Sequence, residues 1–229
     1  MSEQSVSNTG GIKLESLLTR IDYQGLVLAF LCALVTWLLL LGQKYTRDEI
    51  ASRVAEDRLS LLTQVLPERY YDNQPLEESV LIDDKKLSQQ SVEVYIARKQ
   101  GQVSALVFQL VTIGWGGDIT LMIALNTQGK ILGVRVLSHR ETPGLADKIE
   151  IDKSDWITRF NGESLNGNNT SQWAVKKDGG KFDQFTGATI TPRAVVRGIY
   201  SGLQFYARNS DEIAMRANQA SSETDKAVQ

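Results

Sequence analysis

The sequence predicts an α+β protein: a single N-terminal transmembrane helix, then one domain with a mainly antiparallel sheet and helices packed on it. Three observations predict it. An uncharged apolar run, GLVLAFLCALVTWLLLLG, extends from Gly25 to Gly42. Four runs rich in β-branched and aliphatic residues, VEVYIA, VSALVFQLV, ITLMIALN and ILGVRVLS, follow one another between Val92 and Ser138. TPRAVVRGIYSGLQFYAR then carries apolar residues at helical spacing.

Residues 1–22 read as a polar N-terminal segment and residues 23–43 as the anchor. At 1.5 Å rise per residue, a bilayer core of roughly 30 Å needs about 20 apolar residues. Tyr23 and Trp37 suit the two interfaces. A cleavable signal peptide is the alternative; the long apolar core and the lack of a small-x-small pattern in LGQKYTRDE weigh against it. Lys13 and Arg20 precede the span, and Lys44, Arg47, Arg53 and Arg58 follow it. That count mildly favours a cytoplasmic C-terminal side, but the rule weakens before a long domain, so charge leaves the orientation open.

Residues 44–78 read as a juxtamembrane helix and connector: Ile50, Val54, Leu61 and Val65 share a face, Pro67 ends the pattern, and ERYYDNQP is turn-rich. The domain spans 79–208. NTQGK is a hairpin turn in which Gly129 can take positive φ. HRETPGLADK is a loop, Ser154–Phe160 a short helix, NGESLNGNNTSQ a loop, WAVKK a strand and KDGGKFD a turn. Thr191 suits an N-cap and Pro192 the first helical position, with Val195, Ile199, Leu203, Phe205 and Tyr206 on the apolar face. Residues 209–229 form a polar C-terminal tail.

Composition narrows the chemistry. A formal net charge of -2 gives no reason to expect nucleic-acid binding. The single cysteine, Cys32, excludes an internal disulfide, a C-x-x-C-H haem site, a zinc cluster and an iron–sulfur site. With His139 the only histidine, a dedicated metal site is not expected, so any redox chemistry needs an organic cofactor. The one uncharged span offers no ion path of its own.

FDQFTGATITP, Phe182 to Pro192, stands out. Gly187 and Ala188 leave room for a bulky group, and Thr189 lies just upstream of a helix start, where free N–H groups and the dipole favour anions. Lys176, Lys177, Lys181 and Arg193 add nearby positive charge. The stretch suits a phosphate, bound or covalently attached. A plain strand–turn–helix junction with a good cap reads the same residues, and no suitable base in the local sequence supports a nucleophilic threonine. No residue is assigned a catalytic role.

Asp183-Gln184-Phe185-Thr186-Gly187-Ala188-Thr189 resembles the flavinylation motif D-x-x-T-G-A-T of the FMN-binding domains of respiratory ion pumps. GWGGDI (Gly114–Ile119), HRETPGLADKIE (His139–Glu150) and SDWITRF are similar to the same family. The likeness covers the anchor as well. It is nearer to the G-subunit branch, from Rnf-type electron transport complexes, than to the C-subunit branch, from sodium-translocating NADH:quinone oxidoreductases. Ala146, where the family commonly has glycine, is a mild departure.

The resemblance implies FMN joined through its phosphate to Thr189, with Asp183, Thr186, Gly187 and Ala188 read by a flavin transferase. It implies a flavin site shaped by Glu141, by Thr142 as a polar contact and by Leu145 as an apolar wall, with Trp115 against the ring. Lys177 either pairs with the phosphate or is solvated, and His139 is not expected to donate a proton. The implied protein is a single-pass electron-transfer component on the periplasmic face of a bacterial inner membrane. Its implied partners are integral-membrane and iron–sulfur proteins of the same complex. A flavin-binding sensor and a non-redox structural adapter are the alternatives.

Overall fold

The computed structural model describes residues 21–165 and 170–227. Most of the polar N-terminal segment and the central NGNN of the 161–172 loop lie outside the described residues. The chain divides into two compact units, Met1–Glu56 and Asp57–Gln229.

Helix α1 runs from Ile21 to Val65. Its segment Tyr23–Gln43, with a mean hydropathy of 2.5, is long and apolar enough to cross a membrane, and none of it is buried within the protein. The separate juxtamembrane helix expected from the sequence is the C-terminal part of this one helix, because no glycine or proline separates Gln43 from Val65. The side chains of Ile50 and Val54 lie outside the described residues.

The second unit is built on a five-stranded antiparallel meander: β1 (Ser79–Ile82), β2 (Val92–Lys99), β3 (Gln102–Ile113), β4 (Asp118–Asn126) and β5 (Ile131–Ser138), adjacent in chain order. Alternation sorts the side chains onto two faces. Phe108, Leu110, Leu121 and Ile123 pack under helix α2 (Ile190–Ala227), against Val195, Ile199 and Leu203, with Phe108 and Phe205 rings 5.1 Å apart. Tyr95, Ala97, Val107, Met122 and Ala124 form a second cluster with Leu62, Val65 and Leu66. Gly133 permits that second layer, since a Cβ there would lie 2.4 Å from the Val65 carbonyl oxygen.

Two expectations change. WAVKK forms no strand: only the bridge between Val175 and Phe182 survives, followed by the 3-10 turn Lys176–Asp178. The Gly179–Gly180 pair turns the chain away after that single bridge. The polar stretch after Arg208 also remains helical, because it still has a buried side. Ile213 and Ala217 are in the core, and the Arg98 guanidinium donates to the Ala217 carbonyl at 2.6 Å.

Candidate functional site

Three chain segments meet at one end of the sheet. The first is the turn after β3, Gly114–Gly117, closed by the Gly114 N–H donating to the Gly117 carbonyl at 2.8 Å. A Cβ on Gly116 would lie 1.9 Å from the Arg140 carbonyl oxygen, so glycine lets this turn rest on the second segment. That segment, Glu141–Ala146, curls into a turn through bonds from the Leu145 and Ala146 N–H groups to the Thr142 carbonyl, at 3.3 and 3.0 Å. The third is Phe185–Thr191. Ala188 N–H donates to the Phe185 carbonyl at 3.2 Å, and Gly187 takes φ 83°. A Cβ on Gly187 would meet the Leu145 side chain at 3.3 Å, which places the second and third segments in contact.

Between them lies a cleft of about 310 Å³, lined by Trp115, Glu141, Thr142, Leu145, Ala146 and residues Gly187 to Thr191. Of the predicted residues, Trp115, Glu141, Thr142, Leu145, Gly187, Ala188 and Thr189 come together here. Trp115, 68% exposed, stands at the rim with Leu145 and Ile190. Asp183, Thr186 and Lys177 do not line the cleft. Asp183 is ion-paired to Lys176 at 2.5 Å and Arg159 at 3.0 Å, and the hydrogen bond from Lys176 holds its carboxyl below the usual range. Thr186 is exposed on the turn, and Lys177 is exposed in the turn Lys176–Asp178.

An aromatic base carries the third segment. Phe182 stacks on Phe160 at 4.4 Å, Phe185 packs against Trp156 at 5.1 Å, and the Trp156 indole N–H donates to the Asp183 carbonyl at 2.8 Å. Phe182 and Phe185 point inward, leaving Thr186 and Gly187 at the surface.

The helix start differs from expectation. Residue Thr189, not Thr191, precedes the first helical residue; its carbonyl accepts from Arg193 N–H at 3.3 Å, and Pro192 is third in the helix. Proline is tolerated there because first-turn N–H groups have no intrahelical acceptor. Thr191 is buried and its hydroxyl donates to the Glu141 carboxylate. Thr189 is half-buried, and its hydroxyl makes no hydrogen bond among the described residues. The basic residues are largely engaged: Lys176 with Asp183, Lys181 with Glu163, and Arg193 with Asp178 through two bonds of 2.5 and 2.8 Å. The free polarity facing Thr189 is therefore the helix N-terminus rather than a lysine cluster. Thr191, Ile190 and Ala146 are the lining residues that sequence reasoning left unassigned; nothing in the sequence around Thr191 points to its partner Glu141.

Comparison with known proteins decides the family. A model of the FMN-binding domain matches residues 114–204, which include all three segments of the cleft. The G subunit of the ion-translocating oxidoreductase complex of Stutzerimonas stutzeri is 54% identical over 191 residues, 83% of each chain. The chain belongs to the G-subunit family of ion-translocating oxidoreductase complexes. A second G subunit, from Cereibacter sphaeroides, is 47% identical over 82% of this chain and 85% of its own. The crystal structure of the C subunit of a Na(+)-translocating NADH-quinone reductase from Parabacteroides distasonis is 20% identical, with a TM-score of 0.48, covering 66% of this chain and 91% of that one.

Proposed function

We propose that this protein carries electrons within an ion-translocating oxidoreductase complex through one FMN esterified to Thr189. The carrying observation is the Thr189 hydroxyl: half-buried, unbonded among the described residues, at the cleft wall and at the N-terminus of a long helix. Of the neighbouring threonines, Thr191 is committed to Glu141 and Thr186 lies outside the lining. A cleft of about 310 Å³ falls within the range of small-ligand sites, and its walls suit a flat aromatic ring lying partly open.

When bound, FMN supplies the redox chemistry. The chain's residues place it. The small Gly187 and Ala188 admit the phosphate close to the backbone, and the first turn of α2 offers unpaired N–H groups to its oxygens. Trp115, Leu145 and Ile190 form apolar walls at the rim, leaving an open edge toward partners. A flavin transferase installs the group, reading Asp183 and Thr186–Ala188. The helix Tyr23–Gln43 anchors the protein in a bacterial inner membrane with the flavin domain on the periplasmic side, beside integral-membrane and iron–sulfur subunits that supply the ion path.

Co-expression with a flavin transferase and intact-mass measurement tests the proposal. Wild type gains one FMN and fluoresces in a denaturing gel; Thr189→Val gains none. Equal labelling of both moves the attachment elsewhere, and a colourless wild type favours the structural adapter. A labelled protein that passes no electrons to the rest of the complex favours the sensor.

A further inference from the structure

Resting on the flavin reading above, the geometry points to Glu141 as a positioning residue: its carboxylate ties the Trp115 turn to the first turn of α2 and so fixes how Thr189 is presented at the cleft. Glu141 is 4% exposed, yet its described partners are hydrogen-bond donors and not a cation. Gly116 N–H donates at 2.9 Å and Trp115 N–H more weakly at 3.4 Å, while the Thr191 hydroxyl donates from the opposite side. A buried carboxylate needs such donors, and losing them leaves an unsatisfied charge. The fit is close: a Cβ on Gly114 would lie 2.2 Å from a Glu141 oxygen, so the carboxylate fills the space that glycine leaves.

The loop that presents Glu141 is itself fixed. Its N–H donates to His139 Nδ1 at 3.0 Å, which puts the imidazole proton on Nε2, facing Glu150 at 2.7 Å. Every bond of the Glu141 carboxylate thus ends on a cleft-forming segment and none on the sheet core. Removing the carboxylate frees the turn from α2 and leaves the meander intact.

The test uses the full-length chain in detergent, first without flavin and then with the transferase. In Glu141→Ala, the Gly116 amide exchanges about tenfold faster or more, as expected for losing a bond to a charged acceptor. Amides of the β3–β4 ladder stay within about twofold of wild type, and labelling slows by about tenfold. Glu141→Gln, which retains an acceptor for Gly116, falls between. Thr191→Val keeps Gly116 protected but speeds exchange at Arg193 and slows labelling. Unchanged Gly116 exchange in Glu141→Ala overturns the proposal, as does local loosening with unchanged labelling. If Glu141→Ala does not fold, Thr191→Val decides: unaltered Arg193 exchange and labelling rate refute the tie. A wild type that never labels defeats the flavin reading instead, and the exchange comparison still decides the clamp.

Discussion

Replacing Gly116 with alanine places a methyl group where the structure has none to spare. The new Cβ would lie 1.9 Å from the Arg140 carbonyl oxygen and 2.6 Å from its carbon, far inside contact distance and against backbone that cannot rotate aside. Overpacking of this kind costs about 1–3 kcal/mol. Moving the turn also stretches the 2.9 Å bond from Gly116 N–H to Glu141. A hydrogen bond to a charged group contributes about 1.5–3 kcal/mol, which brings the expected loss to about 2.5–6 kcal/mol. At about 2–4 °C per kcal/mol for a domain of this size, the melting midpoint falls by about 5–24 °C. Gly144→Ala is the control. It has no atom within 4 Å of the added Cβ, and only its positive φ of 76° opposes the change. That strain costs about 1–2 kcal/mol. Circular-dichroism melting of the full chain in detergent compares the two, and a Gly116→Ala midpoint no lower than that of Gly144→Ala would refute the close-approach reasoning.

Further outcomes concern the far end of α2. Ile213→Ala should destabilise by about 2–5 kcal/mol in urea unfolding, because Ile213 is core; a surface-like change of under about 0.5 kcal/mol would return the segment to a polar tail. Asp84 carries a pH signature. Burial raises its pKa, but bonds from Arg208, Asn209 and the Lys86 N–H outweigh that and leave it lowered. A lowered folded-state pKa stabilises above the ordinary carboxylate value of about 3.9 and ceases to do so as pH falls through the folded value. The stability gap between wild type and Asp84→Asn should therefore be constant near neutrality and shrink below about pH 4, and a gap that stays constant into acid contradicts the pairing.

The strands from Val92 to Ser138 were legible because a sheet covered on both faces reads as near-continuous runs of β-branched and aliphatic residues. Gly129 was legible for the same local reason: a short hairpin turn demands positive φ, observed at 72°. The helix start was misplaced by two residues. Thr191 has the right side chain for a cap, but its hydroxyl is taken by a carboxylate fifty positions earlier in the chain. No window around Thr191 contains that partner. The end of α2 was missed because its buried residues, Ile213 and Ala217, are few and set in largely polar text, and one buried stripe on a long helix needs little more.

The residues alone determined the apolar span, the strands from Val92 to Ser138, the body of the long helix as far as Arg208 and the motif with its candidate threonine, since each rests on periodicity or composition within one stretch of chain. Only the folded chain decided that Thr191 is committed to Glu141 while Thr189 is not, which lysines are already paired, and that Glu141 stands between the Trp115 turn and α2. Those features depend on distances between segments far apart in sequence, and packing alone sets such distances.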